Sequence, residues 1–274
     1  VTDREKLRVP LDAAALRAEV IGGTSFWRQL DVVEQTGSTN ADLLSRAAAG
    51  ADIDRSVLIA EHQTAGRGRH GRGWSAAPRA QITLSVGVRV DDVPPAAWGW
   101  LTLAAGLAVV DAVATETTVE AGLKWPNDVL AGGGKLAGIL AEVAQPYAVI
   151  GIGLNVTQAP QEVEGAGATS LLDQGVTAPD RDLLVRRLLR ELAERIAGWR
   201  QARGADAQLM ADYRARSLTI GSQVRAELPG GRRLVGIARD IDDHGQLRLE
   251  TGLDDSGKPP EIVVVSAGDV VHLR

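Results

Sequence analysis

The sequence predicts an α+β protein in two unequal parts: a larger domain at residues 1–216, with a mixed sheet and flanking helices, and a small all-β unit at 217–274. Three observations lead there. The chain has 274 residues, 45% hydrophobic and 24% charged, which suits one catalytic domain plus a small one, with a buried core. Up to about residue 216, β-branched extended runs are interspersed with segments whose apolar residues recur at helical spacing. From Ser217 onward the texture changes to short strands separated by turn residues.

The elements follow in order. LDAAALRAEV at 11–20 reads as a short helix, and 26–36 as extended chain. Ser38 or Thr39 caps a helix through Leu43, Leu44 and Ala47 that ends at Gly50. Residues 57–61 read as a buried strand, and QITLSVGVRV at 81–90 as an alternating one. After the DDVPP turn, 96–114 is apolar all round, which predicts a helix buried on most sides. GLKWPNDVLA (122–131) and KLAGILAEV (135–143) flank Gly132–Gly133–Gly134 and read as a hairpin, with Pro126 at a strand start or bulge. YAVIGIGLNV at 147–156 is another strand, and 157–170 a polar loop long enough to move over a site. Asp180 caps a long helix to about Arg200 whose apolar stripe is Val185, Leu189, Leu192, Ile196 and Trp199. A further helix covers about 205–216. The C-terminal unit then reads as about five strands around the turns PGG, DDHG and DDSGKPP, which suits a small barrel.

Composition narrows the function. The net charge is −5, and a protein that lives on nucleic acid needs a basic surface. There is no cysteine, so disulfides, thiolate catalysis and Cys-based zinc sites are excluded. The histidines His62, His70, His244 and His272 show no metal-binding spacing. The N-terminal residues have no apolar signal region, and the longest apolar run, Leu103–Val110, is too short to span a bilayer. A cytoplasmic protein without membrane contact is the expectation.

The stretch VLIAEHQTAGRGRHGRGW at 57–74 is the chemical focus. Glycines let a backbone approach a ligand, and Arg67, Arg69 and Arg72 supply forked donors for phosphate or carboxylate. GRGRHG matches the dinucleotide-binding spacing G-x-G-x-x-G, but that motif depends on a helix N-terminus, and here Trp74, a turn and a strand follow. An RGG-type nucleic-acid segment belongs in a disordered polar tract, not between two strands. A merely solvated loop would leave three arginines repelling one another. Binding of a small anion by an ordered loop is the reading that survives.

A second group lies in KWPNDVL: Lys124 is a cation, Asn127 a two-way hydrogen bonder and Asp128 a candidate Mg²⁺ ligand, although Asn–Asp also suits a plain turn. Lys135 follows the three glycines, where a lysine can equally protect a strand edge. Asn155 ends its strand, where an amide serves either a ligand or a turn. Glu142, inside an apolar strand, reads as an outward-facing charge.

In combination and in this order, GRGRHGRGW, KWPNDVL, GGKLAGIL and GIGLNV resemble the biotin protein ligases, with STN at 38–40 and EHQTAG at 61–66 fitting the same pattern. The likeness spans roughly residues 36–156, and the C-terminal β unit agrees with it. It implies a catalytic domain related to class II aminoacyl-tRNA synthetases and an SH3-like C-terminal domain. It also implies a two-step reaction: biotin and MgATP give biotinoyl-5′-AMP, and a lysine of a biotin carboxyl carrier domain of an acyl-CoA carboxylase then takes the biotin. By motif position, Ser38, Thr39, Gln63 and the backbone of Gly66, Arg67, Gly68 and Arg69 would surround biotin, and Asn40 of the same STN motif would be a further cofactor-binding residue. Arg67 and Arg69 would hold phosphate, Arg69 retaining the adenylate, Arg72 would be a further cofactor-binding residue, and Trp74 would face adenine. Lys124, Asn127 and Asp128 would serve the triphosphate and Mg²⁺, with Lys135 on the biotin carboxylate or the bridging phosphate oxygens, Gly138 allowing close approach and Asn155 near the nucleotide. His70 stands where many relatives have a stronger base. Some relatives also carry an N-terminal DNA-binding domain; about 25–35 residues precede the catalytic start here, so no sequence-specific DNA binding is expected. Lipoate or octanoate attachment, and a nucleotide- or RNA-binding module, are the alternatives. The full GRGRxGR and KWPND pattern opposes the first; the acidic charge and nine aromatic residues oppose the second.

Overall fold

In the computed structural model, which describes residues 3–163, 167–252 and 260–273, the polypeptide forms one mixed sheet, five helices and a second, smaller sheet. The elements are α1 (Ala13–Val20), β1 (Gln29–Val33), α2 (Thr39–Ala48), β2 (Ser56–Ala60), β3 (Gln81–Arg89), α3 (Gly99–Glu116), β4 (Ala121–Lys124), β5 (Asp128–Ala131), β6 (Gly134–Ala144), β7 (Tyr147–Asn155), α4 (Arg181–Ala202) and α5 (Ala207–Arg216). The second sheet comprises β8 (Gln223–Glu227), β9 (Arg233–Ile241), β10 (Leu247–Thr251), β11 (Glu261–Val265) and β12 (Asp269–His272).

The large sheet runs β1-β2-β3-β7-β6-β5-β4, with β1 and β2 parallel and the other neighbours antiparallel. Both faces of its centre are covered. Val57 and Ile59 of β2 point into the main core with α3 and α4, while Leu58 points into a separate cluster with Leu43 of α2 and Val149 of β7. This is why β3, expected as an alternating strand, is buried from Gln81 to Val88 on both faces.

Helix α3 is apolar all round, as expected. Together with the short turn before it, Pro95–Glu116 is long and apolar enough to cross a membrane by length and composition, but 72% of that window is buried inside the protein. It is the core helix of the fold, packed between the sheet and the stripe of α4, where Val185, Leu189, Leu192, Ile196 and Trp199 are all buried. The caps also agree: Ser38 accepts from the Ala41 amide of α2, and Asp180 from the Leu183 amide of α4.

Residues 122–131 are not one strand. β4 and β5 form their own hairpin, with Lys124 paired to Asp128 and Trp125–Pro126–Asn127 in the turn, and β5 then pairs with β6 across Gly132 and Gly133. The three glycines were the visible hairpin signal; the turn around Pro126, expected at a strand start or bulge, supplies a second.

The smaller sheet is antiparallel throughout, in the order β11-β10-β9-β8-β12. Of its expected turns, DDSGKPP falls almost wholly outside the described residues. Two buried indoles anchor the sheet to the larger part: Trp100 donates to the Asp242 carbonyl at 3.1 Å and Trp125 to the Gly245 carbonyl at 3.0 Å.

Candidate active site

The arginine stretch is an ordered narrow hairpin between β2 and β3. The Trp74 amide donates to the Gly66 carbonyl at 2.9 Å, and the Gly68 amide to the Arg72 carbonyl at 2.7 Å. A Cβ at Gly66 would lie 2.3 Å from the Trp74 carbonyl oxygen, so a glycine is needed for this pairing. The tip is one turn, Arg69–Gly71, with His70 at φ 55° and Gly71 at φ 73°. No α-helix follows, which removes the basis of the dinucleotide reading.

The hairpin closes over a cavity of about 370 Å³. Most of the expected residues reach its wall: Ser38, Thr39, Asn40 and Gln63 at one end, Arg67, Gly68, Arg69, Arg72 and Trp74 from the hairpin, and Asn127, Lys135, Gly138 and Asn155 at the other end. Gly66 borders the adjoining recess, which shares Arg67, Gly68 and Arg69 with this cavity.

The floor is made by facing strands. Gly138 of β6 and Gly153 of β7 are cross-strand partners, and the Trp74 indole lies on both. Its Nε1 donates to Gln81 Oε1 at 2.8 Å, and the Lys135 ammonium lies 5.3 Å from the ring centroid. The hairpin therefore contributes both cations and an aromatic wall.

The arginine tip is tied to the C-terminal sheet. Arg69 donates to Asn127 Oδ1 at 3.0 Å and to the Gly268 carbonyl at 3.1 Å; Arg69 and Arg72 both pair with Asp269, at 3.3 and 2.8 Å. Burial pushes the Arg69 guanidinium down from the usual arginine value while Asp269 opposes the shift, and it remains cationic at neutral pH. Nothing near Asp269 in sequence marks it for this role, since about two hundred residues separate it from Arg69.

Two expected nucleotide groups do not line the cavity. Asp128 Oδ1 is buried and ion-paired with the Lys135 ammonium at 2.6 Å. Lys124 belongs to β4, the sheet edge against which the C-terminal unit docks through the Leu218 amide and the Leu123 carbonyl, and its charge acts on His272. Asn155 lines the cavity with its amide fully engaged: Gln81 donates to its Oδ1 at 2.7 Å, and its Nδ2 donates to the carbonyls of Thr169 at 2.9 Å and Lys135 at 3.2 Å. It clamps the 167–169 segment against β6. That segment and Val163 border the cavity, so the described part of the 157–170 loop does edge the site; residues 164–166 lie outside the described set.

Sequence reasoning missed several groups that hold the site. Glu142 is not an outward charge: it accepts from Asn40 Nδ2 at 2.8 Å and faces Arg67 at 3.6 Å. Gln81, Thr83 and Ser85 form a polar row at period two in an otherwise apolar strand, and that spacing was the available signal. Glu61 and Arg181 form an ion pair with both side chains only 3% exposed. Glu61 also accepts from the Leu11 amide and Arg181 donates to the Val9 carbonyl, so the pair ties the end of β2, α4 and the N-terminal segment together.

The arrangement sets fixed cations beside a polar recess, which suits joining two anions. Comparison with known proteins agrees. The pattern of the biotin/lipoate A/B protein ligase family matches residues 32–155, and that of the biotin protein ligase C terminal domain matches 219–273. The chain is 70% identical to a biotin–[acetyl-CoA-carboxylase] ligase of Mycobacterium tuberculosis, with all of both chains covered. It is 31% identical to the bifunctional ligase/repressor BirA of Escherichia coli, over 88% of this chain and 75% of that protein. Among solved structures, the biotin protein ligase of Aquifex aeolicus in complex with biotin and ATP superposes with a TM-score of 0.76 at 23% identity, covering 90% of this chain and all of the other. That of Leishmania major in complex with biotinyl-5-AMP gives a TM-score of 0.58 at 25% identity, covering 88% and 99%. On its full-length likeness to the mycobacterial enzyme and the match of both parts, the chain belongs to the biotin–[acetyl-CoA-carboxylase] ligase family.

Proposed function

We propose that the protein activates biotin with MgATP and transfers it to a lysine of a biotin carboxyl carrier domain. The observation that carries this reading is the convergence of the arginine hairpin, Lys135 and the Ser38–Thr39–Gln63 recess on one cavity. In the first step a carboxylate oxygen of biotin attacks the α-phosphorus of ATP, and the bond to pyrophosphate breaks. In the second, the lysine amine attacks the acyl carbon, loses a proton, and AMP leaves. Both reactants of the first step are anions, so the protein's work is to bring them together and stabilise the charge that builds between them.

In this assignment Ser38, Thr39, Asn40, Gln63 and the Gly66–Arg69 backbone form the biotin recess. Arg67, Arg69 and Arg72 hold phosphate, Lys135 the biotin carboxylate, and Trp74 the adenine. When phosphates bind, Arg69 exchanges its contacts with Asn127 and Gly268 for phosphate oxygens. Asn155 acts by holding the 167–169 segment rather than by touching nucleotide. Asp128, the carboxylate paired with Lys135, is the group that would hold Mg²⁺, which takes one or two carboxylates and otherwise phosphate and water. Lys124 supports that end by its charge.

The same reading takes the mixed sheet as class II aminoacyl-tRNA-synthetase-like, the five-stranded unit as an SH3-like domain beginning at 217, and the protein as cytoplasmic. The test is ATP–pyrophosphate exchange with biotin, with lipoate and with neither. Exchange that needs biotin is expected; exchange with lipoate alone, or independent of both acids, would overturn the reading.

A further inference from the structure

A chain of buried hydrogen bonds runs beneath the polar recess. Glu142 Oε2 and the Leu140 carbonyl accept from Asn40 Nδ2, at 2.8 and 3.2 Å. Asn40 Oδ1 accepts from the Ser85 hydroxyl at 2.6 Å. The Ser85 and Thr39 hydroxyl oxygens are 2.7 Å apart, and Gln63 Oε1 accepts from the Thr39 amide at 2.8 Å. Asn40, Ser85 and Thr39 are all at most 4% exposed. The amide of Asn40 has room only because residue 151 is glycine: a Cβ there would lie 2.3 Å from Asn40 Oδ1.

Proton counting gives this chain a direction. A carboxylate only accepts, and so does a backbone carbonyl. If the Asn40 amide were reversed, its oxygen would face both of them and neither contact would hold a proton. Asn40 must therefore point its NH₂ at Glu142 and Leu140 and its oxygen at Ser85. The single Ser85 proton then goes to Asn40, so Ser85 oxygen accepts the single proton of Thr39. Gln63 Oε1, 3.1 Å from Thr39 Oγ1, is held by the Thr39 backbone N–H instead. Thr39 Oγ1 is left with its lone pairs toward the cavity.

We infer that Glu142 is a positioning residue that sets the polarity of this relay and so makes Thr39 a hydrogen-bond acceptor for a ligand N–H. Biotin's ureido ring carries two such N–H groups, and in this sense the inference rests on the biotin reading of the recess. Arg67, 3.6 Å from the second Glu142 oxygen, couples the hairpin to the same carboxylate. Without Glu142 only the Leu140 carbonyl opposes reversal of Asn40; in a reversed relay Ser85 would donate to Thr39 Oγ1 and the Thr39 proton would go to Gln63 Oε1, 3.1 Å away, leaving Thr39 one lone pair fewer for the ligand N–H.

The test is calorimetric titration of the full chain with biotin. Glu142→Leu and Ser85→Ala are each expected to weaken biotin binding by about tenfold, the scale of one hydrogen bond. If both act through the relay, the double variant binds no worse than about the weaker single one, a non-additivity that independent structural damage would not produce. Glu142→Gln, whose amide oxygen can still accept from Asn40 but which loses the charge facing Arg67, is expected to recover most of the Glu142→Leu loss. Additive penalties, or no rescue by glutamine, would overturn the relay. Thr39→Val separates the two levels of the argument: if it weakens biotin binding while the other penalties add, the relay alone falls. If it leaves biotin binding unchanged, Thr39 makes no hydrogen bond to biotin, and the relay and the placing of biotin against Thr39 both fall while biotin binding itself stands.

Discussion

Replacing Gly153 by alanine tests whether the glycine floor exists to seat the Trp74 indole. A Cβ at this position would lie 2.4 Å from Trp74 Cε2 and 2.5 Å from Cζ2 and Nε1, whereas apolar atoms rest at about 3.5–4.0 Å. The indole must therefore lift by about 1 Å. Lifting breaks its 2.8 Å hydrogen bond to Gln81 and weakens its contact with the Lys135 ammonium. These are worth about 1 kcal/mol and about 0.5–1 kcal/mol, which together correspond to a loss of about ten- to thirtyfold in kcat/KM for ATP. The assay is biotin-dependent ATP–pyrophosphate exchange, with thermal unfolding measured alongside. Alanine is better tolerated than glycine inside a strand on backbone entropy alone, so Tm should not fall in parallel with activity. Gly138→Ala, whose Cβ would meet the indole edge at 2.9 Å, should have a smaller effect. Activity within twofold of the parent for Gly153→Ala, or a larger defect for Gly138→Ala, would refute the reasoning.

Two further predictions concern stability. Arg181→Met leaves Glu61 buried with the Leu11 amide as its side-chain partner and should cost about 3–5 kcal/mol in urea unfolding; the double variant with Glu61→Leu should recover much of this, and equal instability of the two would argue against the ion-pair account. His272 is held below its ordinary pKa by burial and by the nearby Lys124 charge, so the folded state binds this proton less readily than the unfolded one. Its contribution is intact above about pH 6.5, the unfolded value, and is lost as the pH falls through the lower folded pKa. His272→Gln should flatten the acid side of the Tm–pH curve in that window, and an unchanged curve would dismiss the role.

Several parts of the fold could be read locally because local physics decides them. The caps at Ser38 and Asp180, the stripe of α4 and the change to short strands after Ser217 depend on neighbours within a few residues. The glycine-rich loop at 66–73 and its cations were legible for the same reason, whereas its closing into a hairpin was seen only in the structure. The turn inside 122–131 was hidden by the louder signal of three consecutive glycines. The burial of β3 on both faces was hidden too, because alternation cannot show that a second layer will cover the polar row.

By itself, then, the sequence determined which residues could be cationic, which backbone could approach a ligand and which segments would pair. Tertiary structure decided what each of them faces. It turned Asn155 and Glu142 from candidate ligand and surface charge into groups that orient their neighbours. It brought Asp269 to the arginines and moved Lys124 toward the C-terminal unit. The reason is physical: propensity and periodicity act over a turn or a strand pair, whereas a hydrogen bond's direction and a charge's partner depend on groups that only folding brings within 3–4 Å.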